Sequence, residues 1–373
     1  MRFAPFEMER FQSLWEHQVA WNLSESGVEP LRLEELATTH EDREALLRQP
    51  LGYTQTNGTL ELRRHIATLY PGASPEHVEV TNGGSEANCV TLLHLVQPGD
   101  EVLVMLPNYM QAPGLLQSLG ARILPWRLGV RPDGSRWEAD LAALDALVTS
   151  RTKAIFISTP NNPTGSRLTA AELDHIGAVA SRVGAWVISD EIYRGAELDA
   201  VESPTMWGRS DRVLVTGGLS KAYGLPGLRI GWIAGPPQTI EQLWGIHDYT
   251  TIAPGALSDR LARIALAPAG RERLLARTRG IVRANYPLLR SWLEKRKGFS
   301  HVAPEAGAIA FIRYSHGINS TALVDRLRIE KSVLVVPGDH FGMDGYLRIG
   351  FGSHPEHLAG SLSRIGELMD ALP

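Results

Sequence analysis

Short apolar runs rich in β-branched residues recur along the first two thirds of the chain: "VEVT" (78–81), "EVLVM" (101–105), "ARILPW" (121–126), "KAIFIS" (153–158), "AWVIS" (185–189), "RVLVT" (212–216) and "RIGWIA" (229–234). Most are separated by stretches of helical length and period, such as "SEANCVTLLHLV" and "TAAELDHIGAVASRVG". This alternation predicts an α/β fold whose large domain holds a mostly parallel sheet of about seven strands flanked by helices. From about 255 to 297 the pattern becomes a long arginine-rich helical region, followed by shorter strands in "AIAFIRY", "SVLVVPG" and "YLRIGFG". These predict a smaller α+β C-terminal domain. The expected division is an N-terminal segment, 1–40, packing on the small domain; a large domain, 41–275; and the small domain, 276–373.

Composition narrows the classes. The chain has 373 residues, 43% hydrophobic and 21% charged, enough to bury a large core. A formal charge of −4 and a pI near 6.3 give no basic field for a phosphate backbone, so nucleic acid is not an expected partner. No run approaches the roughly 20 apolar residues of a membrane span, and "MRFAPFEMERFQSLWEHQ" mixes charged and apolar residues unlike a signal segment. The lone Cys89 allows no intrachain disulfide. A cytoplasmic location is expected.

Ligands of open α/β sheets bind outside the carboxyl ends of the strands, and the sequence loads those ends with "TNGGSEAN", "PNY", "TPNNPTG", "DEIYRG" and "GGLSK". "NGGSEAN" reads either as a tight turn capped by Ser85 or as a phosphate cradle at a helix N-terminus, with Gly84 and Ser85 presenting N–H groups. In "NNPTG", Asn162 sits in a loop from which an amide reaches a ligand. Asp190 reads as a solvated turn carboxylate or as an acid set against a ring nitrogen, with Tyr193 three residues on.

Lys221 carries the sharper signal. The chain has five lysines against 32 arginines, so one lysine set among glycines and apolar residues in "TGGLSKAYGLPGLRIGW" is not ordinary surface charge. Desolvation in such a pocket disfavours the ammonium and yields the nucleophilic amine of Schiff-base chemistry. Pyridoxal phosphate needs such a lysine, a carboxylate for its pyridine nitrogen and donors for its phosphate. Lys221, Asp190, and Gly84 and Ser85 with Arg229 supply the three.

On these residues the chain resembles the fold-type I pyridoxal-phosphate enzymes, specifically the class I/II aminotransferases, and the resemblance runs nearly its whole length. It implies that Tyr53 of "YTQTNGTLELR" reaches the cofactor phosphate of a partner subunit, and that Tyr109 of "PNY" covers the pyridine ring. It also implies that Asn162 and Tyr193 hold the ring's 3-oxygen, and that Asp190 pairs with the ring nitrogen. Lys221 forms the Schiff base in this reading, while Ser220 and Arg229 help bind the phosphate. Arg348 of "YLRIGFG" clamps the substrate carboxylate by a two-pronged bond, and Gly27 lies over the substrate. A homodimer with sites at its interface is expected. One departure is Gly218, where many family members carry a phosphate-binding serine; Ser220, or Ser85 and Tyr53, would compensate.

The implied reaction is transfer of an amino group from an L-amino acid to a 2-oxo acid. A subgroup that includes capreomycidine synthase keeps open an alternative, a cyclase or lyase acting on a substituted amino acid, since fold does not decide reaction. A cofactor-free regulatory protein on the same fold would not need the intact lysine, aspartate and arginines. There is no GxxxxGK[ST] or GxGxxG cradle for ATP or nicotinamide. "HPEH" (354–357) spaces two histidines at i, i+3 without an evident third ligand, so no metal is expected.

Overall fold

The computed structural model describes residues 3–372. Near the N-terminus, α1 (Glu7–Trp15) precedes a two-residue strand, β1 (Trp21–Asn22). Eight strands then form the main sheet: β2 (Val78–Thr81), β3 (Glu101–Leu106), β4 (Arg122–Val130), β5 (Trp137–Ala139), β6 (Thr152–Ser158), β7 (Trp186–Asp190), β8 (Val213–Gly218) and β9 (Gly231–Ala234). Their order is β2-β9-β8-β7-β6-β3-β4-β5. From β8 through β4 all pairings are parallel, whereas β9 runs antiparallel to both its neighbours and β5 antiparallel to β4. All seven expected strands are present. The eighth, β5, is a three-residue hairpin return that the apolar pattern does not announce, because only Trp137 and Ala139 point into the core.

The central strands are buried on both faces, as βαβ packing requires; Val102 to Val104, Ala154, Ile155 and Val187 are fully enclosed. Helices cover both faces, among them Gly84–Leu95, which starts directly after β2 at Gly83, and Ala170–Val183, closed by a Thr169–Glu172 capping box and by Gly184 in the left-handed region. The arginine-rich stretch is helical as expected but broken at Ala267: Ala256–Leu266 is followed by Pro268–Glu294, whose first residue is the proline favoured at a helix start.

Beyond it, β10 (Phe299–His301), β11 (Ile309–Tyr314), β12 (Val333–Leu334), β13 (Val336–Pro337) and β14 (Tyr346–Gly350) complete the strands. Four make an antiparallel sheet, β10-β11-β14-β13, while β12 pairs in parallel with β1. Ile312, Leu347 and Ile349 join Leu23 and Val28 of the N-terminal segment in a core separate from that of the large sheet.

At the other end of the large sheet, His247 closes the helix Pro237–His247 in complete burial. Its Nδ1 lies 2.7 Å from Glu79 Oε1, and its Nε2 3.4 Å from Glu86 Oε2. Burial alone would push the imidazolium down, but the two carboxylates hold it up, at about 9. A folded-state pKa raised above the ordinary 6.5 contributes stability that is complete below that pH and is lost as pH rises through about 9. The thermal-unfolding midpoint is therefore expected to fall between those pH values, and the His247→Asn variant to lose most of that slope.

Candidate active site

The strand ends on the β8 to β3 side converge on a cavity of about 330 Å³. Its lining includes Gly84, Ser85, Tyr109, Asn162, Asp190, Tyr193, Ser220, Lys221, Arg229 and Arg348. Gly27 borders the cavity from the N-terminal segment: a Cβ there would lie 3.3 Å from Ser220 O and 3.7 Å from Lys221 Cδ. Tyr53 is not among these residues. It is 89% exposed, and its neighbour Thr54 donates to Pro254 O at 2.8 Å.

At one end, the helix Gly84–Leu95 begins behind Gly83 with no side-chain cap, leaving its first N–H groups for a ligand. Gly83 has φ +95°, and a Cβ on it would lie 2.3 Å from Arg229 Nη2. Gly231 of β9 is equally constrained, since its Cβ would lie 2.5 Å from Gly84 N. Glycine at both positions lets an arginine and a strand press against the helix N-terminus, which is what a phosphate cradle of backbone and guanidinium donors demands. Gly218 has a physical reason too. A side chain there would meet Ile192 Cδ1 and Ile230 O, both at 2.9 Å, so the space a serine would use is filled, while Ser220 lies in the cavity lining.

In the middle of the cavity, Asp190 ends β7 with its carboxylate buried. Its Oδ2 accepts from Asn88 Nδ2 at 2.8 Å and its Oδ1 from Ile192 N at 3.1 Å; Asn88 is in turn fixed by Thr216 Oγ1, which donates to its Oδ1 at 2.7 Å. Burial pushes the carboxyl up, against these hydrogen bonds. Tyr193 is buried, and burial raises its phenol against the nearby charges of Lys221 and Arg348. The Tyr109 hydroxyl donates to Glu9 Oε1 of α1 at 2.8 Å, and its ring packs on Phe6 with centroids 5.1 Å apart.

Lys221 follows β8 and donates to Glu25 Oε1 at 2.8 Å; the same oxygen accepts from Ser26 N and Gly27 N. Burial by itself pushes the ammonium down, but Glu25, and then Tyr193, more than offset it, so the net direction is up. The expectation that desolvation alone governs this lysine is thereby corrected, for the pocket contains a carboxylate partner. Glu25 in turn is held at about 2, chiefly by the Lys221 charge.

Arg348, at 1% exposure on β14, is fully inside. Its Nη2 donates to Ser24 O at 2.6 Å and its Nη1 to Asn162 Oδ1 at 3.0 Å, while its Nε has no partner. A buried guanidinium with an N–H to spare is a receptor for a carboxylate. The donors at the helix N-terminus, the deep carboxylate, the lysine and this arginine together fit pyridoxal phosphate and an amino acid. His357 accepts from Asn22 N and stacks on Trp21, and no metal-binding group of ligands occurs among the described residues. No helix among them is long and apolar enough to cross a membrane.

Sequence reasoning missed Glu25, Asn88 and Glu9. Asn88 lies one helical turn beyond Ser85, inside the quoted "TNGGSEAN", and Glu25 two residues before Gly27. Glu9 had no signal beyond being one acid in a mixed N-terminal stretch.

The aminotransferase class I and II family matches residues 22–365. Capreomycidine synthase of Streptomyces vinaceus is 35% identical over 317 residues, covering 83% of this chain and 79% of its own. An aspartate aminotransferase of Streptomyces avermitilis is 29% identical, with 85% and 81% covered. Among solved structures, a PLP-dependent aminotransferase from Streptococcus suis superposes with a TM-score of 0.94 at 31% identity, over 100% of this chain and 99% of that one.

Replacing Glu25 by glutamine removes the charge that offsets burial at Lys221, so the lysine's titration should move to lower pH. In cofactor-free protein, the pH midpoint for capture of pyridoxal phosphate, trapped with borohydride and read at the Lys221 peptide, is expected to fall in Glu25→Gln. An unmoved midpoint would show that Glu25 does not set it.

Proposed function

The chain belongs to the class I and II aminotransferases, and we propose that Lys221, Asp190 and Arg348 carry its pyridoxal-phosphate-dependent transfer of an amino group from an L-amino acid to a 2-oxo acid. The observation that supports these roles is the convergence of all three side chains on one cavity beside an uncapped helix N-terminus. When bound, pyridoxal phosphate supplies the carbonyl that receives the amino group and the electron sink that lets the substrate's Cα–H bond ionise. The backbone donors of Gly84 and Ser85, the Ser220 hydroxyl and the Arg229 guanidinium would hold its phosphate. Asn88 and Thr216 keep the Asp190 carboxylate aimed at the position of a ring nitrogen, and Asn162 and Tyr193 would bind the ring's 3-oxygen.

Arg348 orients the substrate through its α-carboxylate, and Gly27 brings backbone over the lysine, helping to exclude water. Lys221 Nζ moves the proton, taking it from the substrate Cα as general base and returning it as general acid. The lysine's raised proton affinity suits the first half of that task, the taking of the proton, and makes the pairing with Glu25 part of its tuning.

Elimination or cyclisation on a substituted amino acid would employ the same residues. The identity to capreomycidine synthase supports keeping this second reading. The two differ in whether a 2-oxo acid is consumed.

Assembly as a homodimer is supported by a band of exposed apolar side chains: Leu47, Leu51, Tyr53 and Tyr249, each at least 80% exposed. Two of its segments touch through Thr54 and Pro254. Tyr53, directed away from its own cavity, would then serve the partner's phosphate. The lone Cys89 fits a reducing compartment, and the cytoplasm is the proposed location.

For a transaminase, one or more L-amino acids should change the cofactor's absorbance in the absence of acceptor, and a 2-oxo acid should reverse the change. Consumption of a hydroxylated or β-substituted amino acid without any oxo acid would favour the second reading. Arg348→Lys should lower kcat/KM by about tenfold or more, the worth of a two-pronged charged hydrogen bond. Asp190→Ala should retain cofactor yet exchange substrate Cα protons slower by on the order of a hundredfold, measured by deuterium wash-in.

A further inference from the structure

One wall of the cavity is a single face of α1 and its C-terminal cap, where Met8, Glu9, Gln12, Ser13 and Glu16 recur at helical spacing. Met8 touches Arg348 through its sulfur at 3.7 Å, and Gln12 is spent on Ser24, to which its amide donates at 2.9 Å. Glu9 and Glu16 are differently placed. Glu9 accepts only the neutral Tyr109 hydroxyl, Glu16 lies 3.5 Å from the exposed His17, and neither lies within ion-pair distance of a lysine or arginine among the described residues, although the Glu9 charge is near enough to act on Arg348.

The ionisable side chains lining the cavity are the carboxylates Glu9, Glu16, Glu25 and Asp190 and the cations Lys221, Arg229 and Arg348. The roles proposed above engage every cation: Arg229 with phosphate, Arg348 with the α-carboxylate, Lys221 with the reacting amino group. Asp190 and Glu25 are engaged as well. The buried Arg348 keeps an unpartnered Nε, which in the role proposed above would be completed by the ligand's α-carboxylate. What α1 offers to the rest of that ligand is two carboxylates and no cation.

Resting on that transaminase reading, we propose that the amino acid this enzyme takes carries a cationic side chain, a guanidinium or an ammonium, and that Glu9 and Glu16 recognise it. A substrate with an acidic side chain would bring a third negative charge against α1 with no uncommitted cation among the residues this chain contributes to the lining. A neutral isostere would leave the two acids without the partner they are placed to meet.

The test is calorimetric binding to the cofactor-loaded enzyme of three carboxylates that lack the reacting amino group and so are not turned over. They are δ-guanidinovalerate, its uncharged counterpart δ-ureidovalerate, and glutarate. The guanidino ligand should bind about tenfold tighter than the ureido ligand, the worth of one charged hydrogen bond, with glutarate the weakest. In Glu9→Gln/Glu16→Gln, checked for retained fold by circular dichroism, that ratio should shrink towards unity. Equal binding of the guanidino and ureido ligands to the unaltered enzyme would overturn the proposal without any variant. A ratio that survives in the double variant would overturn the assignment to α1. The function is judged separately, by passage of the amino group from a panel of L-amino acids, alanine and arginine among them, to a 2-oxo acid. If any of them passes it on and the carboxylates show no charge preference, the specificity inference falls and the transaminase stands. If the preference is present but no amino acid passes its amino group to an oxo acid, the cation site stands and the transaminase falls.

Discussion

A guanidinium taken fully out of water must find partners for its N–H groups or it will not stay there. Arg348 finds them in separate parts of the chain. It is held on β14 of the small sheet; Ser24 of the N-terminal segment accepts one N–H, and Asn162, from the loop after β6 of the large sheet, accepts another. Met8 of α1 packs against the same group. One buried charge thus fixes the relation of both sheets and the N-terminal segment around the cavity. Two N–H groups, one on Nη2 and one on Nε, are left over, and in the proposed role they meet the substrate carboxylate, so that the interaction organising the site would also present its receptor.

The opposite end of the cavity is governed by close approach. Gly83 and Gly231 let β9, Arg229 and the start of the helix Gly84–Leu95 come together at distances that any Cβ would forbid. The antiparallel insertion of β9 between β2 and β8 is what delivers Gly231 to that contact. Ile192 and the carbonyl of Ile230 together crowd out a side chain at 218.

Between these ends the site is a balance of charges in a restricted volume. Asp190 is kept in place by an amide and a threonine behind it, and Lys221 by Glu25 in front. Because Glu25 is half-exposed whereas Asp190 is buried, the lysine's partner can exchange with solvent while the deep carboxylate cannot. The deep acid is fixed and the outer acid adjustable, a division that suits the proton-transferring role proposed for Lys221.

The sequence by itself determined the strand–helix alternation, the seven main strands, the loops at their carboxyl ends and the chemistry of those loops. These are local properties: apolar period, glycine, and the small set of residue types able to bind phosphate, a ring nitrogen and a carboxylate. It also marked Lys221, since a lone lysine in glycine-rich, apolar surroundings is unusual in a chain that otherwise uses arginine. Tertiary structure alone decided which charges face one another. Glu25 and Lys221 lie 196 residues apart, Arg348 and Ser24 are 324 apart, and Glu9 and Tyr109 are 100 apart. No local period encodes such pairings. The direction of the Lys221 shift, the acidic face that α1 turns to the cavity and the exposure of Tyr53 arise from packing, because a side chain's electrostatic surroundings are set by whatever the fold carries to it.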